Sequence, residues 1–334
     1  MSYTKFDVVN TLLQEQNKQP AIAQATAFAP VNIALCKYWG KRDNSLNLPC
    51  TASLSIALPY LGTHTSLCLI DSHQDTICLN NQPVASDSEF AKKLVGFLDL
   101  FRSANTWRVA VDTHSDIPVA AGLASSASGF AALVLALQQL FAWTLTQQQL
   151  SILARLGSGS ACRSLWPGFV LWQAGTRTDG MDSHGIPLSS TWPELRMGLL
   201  IFHDQAKAIS SRTAMQRTIE TSILYQSWLT QVEHDLHEIQ TAIAEQNFSK
   251  LGIAAERNAL AMHATMLSSW PPIMYSSIET IKAMQAIWQL RAEGVPVYFT
   301  QDAGPHLKLL FQAKDTTKIQ QAFTQITITA PFLT

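Results

Sequence analysis

The chain has 334 residues, 47% of them hydrophobic, enough for about two domains with well-formed cores. Its 23 basic residues nearly match its 24 acidic ones, for a net charge of -1, so no global field favours nucleic acid or an anionic membrane, and any anion site must be local. Charged residues make up only 14%, against roughly a quarter in soluble proteins, which leaves room for an oligomer contact.

The opening "MSYTKFDVVNTLLQEQ" carries Asp7 and Glu15 and no continuous apolar core, which argues against a secretory signal. From Ala27 to Leu79 short alternating segments, "AFAPVNIALCKYW", "ASLSIAL", "THTSLCLI" and "TICL", read as strands broken by Pro, Asn and Asp. "SDSEFAKKLVGFLDLF" then places Phe90, Leu94, Phe97, Leu98 and Phe101 at helical spacing behind a Ser/Asp start. "WRVAVDTHS" is another strand, followed by a Gly/Ser loop, a helix to about Phe141 and a second helix from about Thr146 to Leu156. The longest apolar run, Phe130 to Leu137, is too short to span a bilayer.

"GFVLWQAG" and "RMGLLIFHD" read as strands separated by a polar surface turn, and the half after Arg196 is mostly helical. There Leu229, Val232, Leu236, Ile239 and Ile243 form an apolar stripe opposite Gln231, Glu233, Asp235 and Glu238. "SSWPP" interrupts the helices, "SIETIKAMQAIWQL" resumes one, "VPVYFTQDAGPHLKLLF" reads as strand, tight loop, strand, and a final helix and "TQITIT" close the chain. The fold class is α+β, with domains at residues 1–195 and 196–334.

Five cysteines, Cys36, Cys50, Cys68, Cys78 and Cys162, form an odd set with no CxxC pair, which suits a reduced cytosolic protein with cysteines as core fillers. His234 and His237 in "EHDLHE" lack HExxH or a nearby third ligand and read as a solvated helix face, so no structural metal is expected.

Five stretches bear on chemistry. "AAGLASSASGF" puts Gly122, Leu123, Ala124, Ser125, Ser126, Ala127 and Ser128 at a helix start, where unpaired N–H groups and the dipole favour a phosphate. Read alone, it is equally an ordinary Ser-capped helix. "GSGSACRS" repeats the small-residue theme with Ser158, Gly159 and Ser160 and adds Arg163, whose paired donors match a carboxylate or phosphate, though on its own the segment reads more readily as a plain turn. "KYWGKRD" gathers Lys37, Tyr38, Lys41 and Arg42, and "QAKAISSR" gathers Lys207, Ser210, Ser211 and Arg212, as anion sites or as solvated strand ends. "FTQDAGPHL" holds Asp302 after an apolar strand, as a turn cap or, held near a substrate hydroxyl, a general base.

These blocks, with "LPCTASLSIAL", "PVAAGLASSASGFAAL" and "ISSRTAM" in order between about Ala27 and Leu310, resemble mevalonate diphosphate decarboxylases of the GHMP kinase superfamily. The resemblance implies a ribosomal protein S5 domain 2-like N-terminal domain, a ferredoxin-like C-terminal domain, a cleft between them and a cytoplasmic homodimer. It implies ATP and Mg2+ as cofactors, phosphorylation of the 3-hydroxyl of mevalonate 5-diphosphate, and loss of phosphate and carbon dioxide to give isopentenyl diphosphate in isoprenoid biosynthesis. By resemblance Asp302 orients and deprotonates the hydroxyl, Lys41 neutralises the transferring group, and Arg163, with Ser158, Gly159 and Ser160, grips the substrate carboxylate. Tyr38, Ser211 and Arg212 hold the diphosphate, with Ala303 beside the substrate, while residues 122–128 cradle ATP with Ser125 and Ser126 nearest the γ-phosphate and Mg2+. The family usually shows Asn at Thr51, Thr at Val119, Tyr and Gly at Trp166 and Pro167, Gly at Ala214 and Asn at His306. A relative acting on the 5-phosphate, one that only phosphorylates the 3-hydroxyl, and a catalytically silent nucleotide-binding module are the alternatives.

Overall fold

The computed structural model describes residues 3–102, 107–116, 125–202 and 209–332. Residues Gly122, Leu123, Ala124, Val119 and Lys207, and the side chain of Ser125, lie outside that description.

The N-terminal half starts with helix α1 (Lys5–Leu12), nucleated by a reciprocal capping box between Thr4 and Asp7. Two long strands follow, β1 (Gln24–Cys36) and β4 (Ser53–Ile70), separated by the small hairpin β2 (Lys41–Asp43) and β3 (Leu48–Pro49). The segments "ASLSIAL" and "THTSLCLI" are thus one strand rather than two. A register shift at Pro30/Val31 absorbs the irregular "PYLG" opposite it, and Gly62 lies so close to Phe28 and Ala29 that a Cβ there would clash.

β1 runs along one side of β4. On the other side β4 pairs antiparallel with β7 (Arg108–Ser115) at its outer end and with β8 (Phe169–Trp172) at its inner end. β5 (Thr76–Leu79) and β6 (Gln82–Pro83) extend the sheet beyond β7, and β9 (Gly185–Pro187) extends it beyond β8.

Helix α2 (Glu89–Leu98), capped by Ser88, packs Leu94, Phe97 and Leu98 inward; Phe90, expected on that stripe, is exposed. Helix α3 (Ser125–Phe141) is buried along most of its length against β1 and β4, and α4 (Gln147–Gly157), capped by Thr146, lies beside it. One turn of 3-10 helix (Gly159–Arg163) then delivers Arg163 to the interior.

The second half forms a four-stranded antiparallel sheet from β10 (Leu195–Leu200), β11 (Tyr298–Gln301), β12 (Leu307–Gln312) and β13 (Thr327–Thr329), in the order β11-β12-β10-β13. Helices α5 (Ser211–Thr221), α6 (Tyr225–Ala244), α7 (Phe248–Leu267) and α8 (Ile278–Ala292) connect β10 to β11, and α9 (Thr316–Ala322) connects β12 to β13. This is the split strand–helix order of ferredoxin-like domains, as expected. The apolar stripe of α6 is core, but Asp235 on its supposedly solvated face is fully buried, because α7 brings Arg257 and Asn258 against it. Of the cysteines, all free, only Cys36 and Cys162 are fully buried; Cys50, Cys68 and Cys78 are half-buried rather than core fillers.

The core joining the halves contains Ile33, Leu35 and Cys36 of β1 together with Val232, Leu251 and Tyr298. The inner end of β1 is therefore the place where the two sheets meet.

Candidate functional site

The site is built at that junction. The carbonyl of Ala34 accepts hydrogen bonds from Lys37 Nζ at 3.0 Å and from Thr300 Oγ1 at 3.1 Å, tying β1 to β11. Just beyond β1, the Lys37 N–H donates to Asn258 Oδ1 at 2.7 Å and Lys37 Nζ reaches Asp302 Oδ1 at 2.7 Å. Lys308 Nζ, from β12, lies 3.1 Å from the other carboxylate oxygen. The loop is braced from below: the Gly304 N–H donates to the Asp302 carbonyl at 2.8 Å, and His263 Nε2 lies 3.2 Å from that same carbonyl.

Electrostatics follow from this clamp. Burial opposes ionisation of Asp302, but Lys308 and Lys37 outweigh it and hold the carboxyl well below the usual carboxylate range. Burial lowers Lys37 to about 8 despite the attraction of Asp302. His263 is lowered to about 4, by burial first and Lys37 second, so its imidazole is neutral at pH 7. The Asp302 side chain is 24% exposed while both lysines are 2% exposed, so it is the carboxylate that faces the cleft.

Arg163 is buried behind this group. Its Nε and Nη2 donate to Asn32 Oδ1 at 3.4 and 3.3 Å, its Nη1 donates to Ser53 Oγ, and its guanidinium lies 5.7 Å from the Trp172 ring centroid. Burial lowers its pKa, and the charge of Asp302 is among the groups that counter this. Tyr38 packs on Trp172 at 4.6 Å, and its buried hydroxyl has no hydrogen-bond partner among the described residues. Gly159 is obligatory beside it, since a Cβ would meet Trp172 and the Tyr38 hydroxyl at 2.9 and 3.0 Å. A buried hydroxyl left unpaired costs roughly 1–3 kcal/mol, a cost that a ligand oxygen would remove.

The small-residue loops converge on the same place. Ser126 Oγ and Ser158 Oγ share a hydrogen bond at 3.2 Å, joining the start of α3 to the end of α4. Ser128 instead turns inward to Thr63 Oγ1 at 2.7 Å, and Ala127 is buried, so these two support the helix rather than face the cleft. The Ser160 carbonyl accepts from Asn32 Nδ2 at 3.2 Å, and Ala303 is buried beside Asp302. Lys41 Nζ lies 2.7 Å from Asn47 Oδ1, and Asn47 in turn bonds the carbonyls of Arg155 and Leu156.

Lys41 therefore stands near the end of α4, and the lysines that touch Asp302 are Lys37 and Lys308. Lys41 belongs to a cation group with Arg212, Lys5 and Lys93. Burial first, and the repulsion of the other cations second, lower Lys41 and Lys5 to about 8. No salt bridge to a carboxylate relieves any of the four among the described residues. Lys5 and Lys41 are half-buried while Lys93 and Arg212 are exposed, and such an unbalanced cation group fits a polyphosphate. Ser211 and Arg212 start α5, whose cap is Ser210.

Sequence reasoning did not single out Lys308, Asn32, Asn258, His263, Lys5 or Lys93 for the site. A lone lysine inside the apolar "LKLLF" was the available signal for Lys308. His234, Asp235 and Glu238 do cluster, but Arg257 bonds an oxygen of each carboxylate, with Nε 2.8 Å from Asp235, and offsets one of their two charges. Among the substituted family positions, His306 Nδ1 accepts the Phe202 N–H at 3.0 Å, while Thr51, Trp166 and Ala214 are buried. Among the described residues no helix is long and apolar enough to cross a membrane.

Comparison with known proteins agrees over nearly the whole chain. Residues 29–185 match the family described as Diphosphomevalonate decarboxylase-like N-terminal domain, and residues 198–331 match the Mevalonate 5-diphosphate decarboxylase C-terminal domain. The diphosphomevalonate decarboxylase of Aspergillus fumigatus is 38% identical over 318 residues, covering 88% of this chain and 78% of that one. The solved mevalonate diphosphate decarboxylase of Staphylococcus aureus superposes with a TM-score of 0.86 at 36% identity, covering 92% of this chain and 95% of that one. The solved complex of MDDEF with MVAPP, AMPPCP and magnesium gives a TM-score of 0.86 at 38% identity, over 93% of this chain and 98% of that one.

Proposed function

The chain belongs to the diphosphomevalonate decarboxylase family, with its GHMP kinase-type fold, and is an ATP-dependent decarboxylase of mevalonate diphosphate; from that premise we propose how its own side chains carry the reaction. The observation that carries the assignment is Asp302, a carboxylate clamped by Lys37 and Lys308 and turned toward the cleft. We take the domains as residues 1–195 and 196–334, with this clamp between them.

Asp302 accepts the hydrogen bond of the substrate's 3-hydroxyl and aims its oxygen at the phosphoryl group. Its low proton affinity suits this, because in a loose phosphoryl-transfer transition state the hydroxyl keeps its proton until late, and positioning matters more than basicity. Lys37 and Lys308 keep Asp302 ionised and in place. Mg2+ bound with ATP supplies further neutralisation of the phosphate oxygens. Lys41, Arg212, Lys5 and Lys93 then balance the polyphosphate charge, with Ser126, Ser158 and Ser211 donating hydroxyls and the start of α3, including Ser125, offering free N–H groups.

Arg163, fixed by Asn32 and Ser53, holds the substrate carboxylate. Once the 3-oxygen is a phosphate ester, its departure draws electrons from the carbon–carboxylate bond, and carbon dioxide leaves as the alkene forms. Tyr38 directs its unpaired hydroxyl to the substrate's oxygens.

The protein works as a homodimer in the cytoplasm. Supporting the dimer, Ile223, Trp270, Met274 and Ile278 are 86%, 74%, 73% and 71% exposed. The Trp270 N–H donates to Thr221 Oγ1 at 2.9 Å, which brings Trp270 to the end of α5, two residues before Ile223. Incubating the protein with ATP, Mg2+ and mevalonate, its 5-phosphate or its 5-diphosphate tests the function. Turnover is expected with the 5-diphosphate, and faster turnover of the 5-phosphate would overturn the substrate assignment.

A further inference from the structure

Asp235 is a carboxylate with no exposed surface, in a helix whose buried face is otherwise apolar. Burying such a charge is costly unless every oxygen is paired. Here Oδ1 takes Arg257 Nε and Gln231 Nε2, both at 2.8 Å. Oδ2 takes Asn258 Nδ2 at 2.9 Å, and the Asn258 Oδ1 takes the Lys37 N–H at 2.7 Å. A carboxylate can only accept, so it turns the Asn258 amide one way: nitrogen toward Asp235, oxygen toward Lys37. Lys37 lies just past the end of β1, where its N–H has no strand partner, and its ammonium is the group that holds Asp302.

We propose that Asp235 and Asn258 are positioning residues, which set the place of Lys37 and through it the orientation and ionisation of Asp302. The chain of bonds runs from the α6–α7 pair into the catalytic loop, and neither residue touches substrate. The inference rests on the catalytic reading of Asp302 given above. Besides Lys37, the charged and titratable groups facing Asp302 are Lys308 from β12, His263 from α7 and Arg163 from the turn after α4.

The test uses Asn258→Ala, Asp235→Asn, Asn258→Asp and the exchange of the last two in one chain. Each single change is expected to lower kcat about 10- to 100-fold, as expected for a misplaced reacting group, with KM within about threefold. In the exchanged protein the amide at 235 donates to the carboxylate at 258, which still accepts the Lys37 N–H, so most of kcat should return. Asn258→Ala should also raise the acid limb of the kcat profile, because Lys37 no longer suppresses protonation of Asp302.

Carbon-13 titration of the Asp302 carboxyl in the unliganded protein reads the same effect without turnover. It should stay ionised at pH ~4 in the unaltered protein and begin to protonate there in Asn258→Ala. Turnover within twofold of normal in the single variants, or an unmoved Asp302 titration in Asn258→Ala, overturns the inference. If the unaltered protein releases no carbon dioxide, the functional reading fails, and the titration still decides the positioning.

Discussion

Replacing Asp302 by asparagine should lower activity and stability together. Removing a catalytic group often relieves strain and stabilises a protein, but here the carboxylate is what makes two buried ammonium groups tolerable. Lys37 and Lys308 lie 2.7 and 3.1 Å from its two oxygens and are each 2% exposed. Removing one partner of a buried ion pair costs roughly 3–5 kcal/mol. Partial exposure of Asp302 at 24% screens some of that, so we expect about 2–3 kcal/mol. At roughly 2–4 °C per kcal/mol this lowers Tm by about 4–12 °C.

The loss should shrink as pH rises from ~7 to ~9. Lys37, already brought to about 8, discharges still more easily without Asp302, whereas the unfolded chain keeps its proton to about 10.4, so stability rises with pH across that interval. Turnover should fall at least about 100-fold with substrate binding within a few-fold. Thermal melts at several pH values and a carbon dioxide release assay read both effects. A variant as stable as the parent, or one retaining more than about a tenth of its turnover, would refute the clamp.

Arg163→Ala should lower kcat/KM by about 100- to 1000-fold, the cost of losing a buried guanidinium fork, and Arg163→Lys should recover little, as steady-state kinetics would show. Binding of inorganic pyrophosphate, followed by calorimetry, should weaken as pH passes about 8, where Lys5 and Lys41 lose charge. Below that pH their mutual repulsion is fully present in the unliganded protein. Between there and their unfolded value, near 10.5, the unfolded chain holds more protons, so these groups make the unliganded fold more stable as pH rises. Trp270→Glu should yield monomers in analytical ultracentrifugation while leaving the thermal transition of the fold in place.

What the sequence disclosed was largely local. Alternation located β1, β7, β11 and β12, and caps and periodicity located α3, α4 and α6, because those signals lie within one element. α1 went unread: its Thr4–Asp7 capping box was the available signal, and an eight-residue helix carries too short an apolar stripe to show by periodicity. The clamp was only half legible: "KYWGKRD" and "DAGPHLKLL" advertised charge, yet their pairing spans 265 positions and depends on β1 meeting β11. That left Lys41, rather than Lys37 or Lys308, as the expected neighbour of the reaction. Asp235 misled for a related reason: polarity at helical spacing implies solvent unless another helix brings a guanidinium and an amide to it.

The most direct measurement is a single-turnover reaction of the protein with ATP, Mg2+ and carboxyl-labelled mevalonate 5-diphosphate. Labelled carbon dioxide and ADP should appear in equal amounts from the unaltered protein, and neither should appear at an appreciable rate from Asp302→Asn. Formation of ADP with a stable 3-phosphorylated product and no released label would contradict the account.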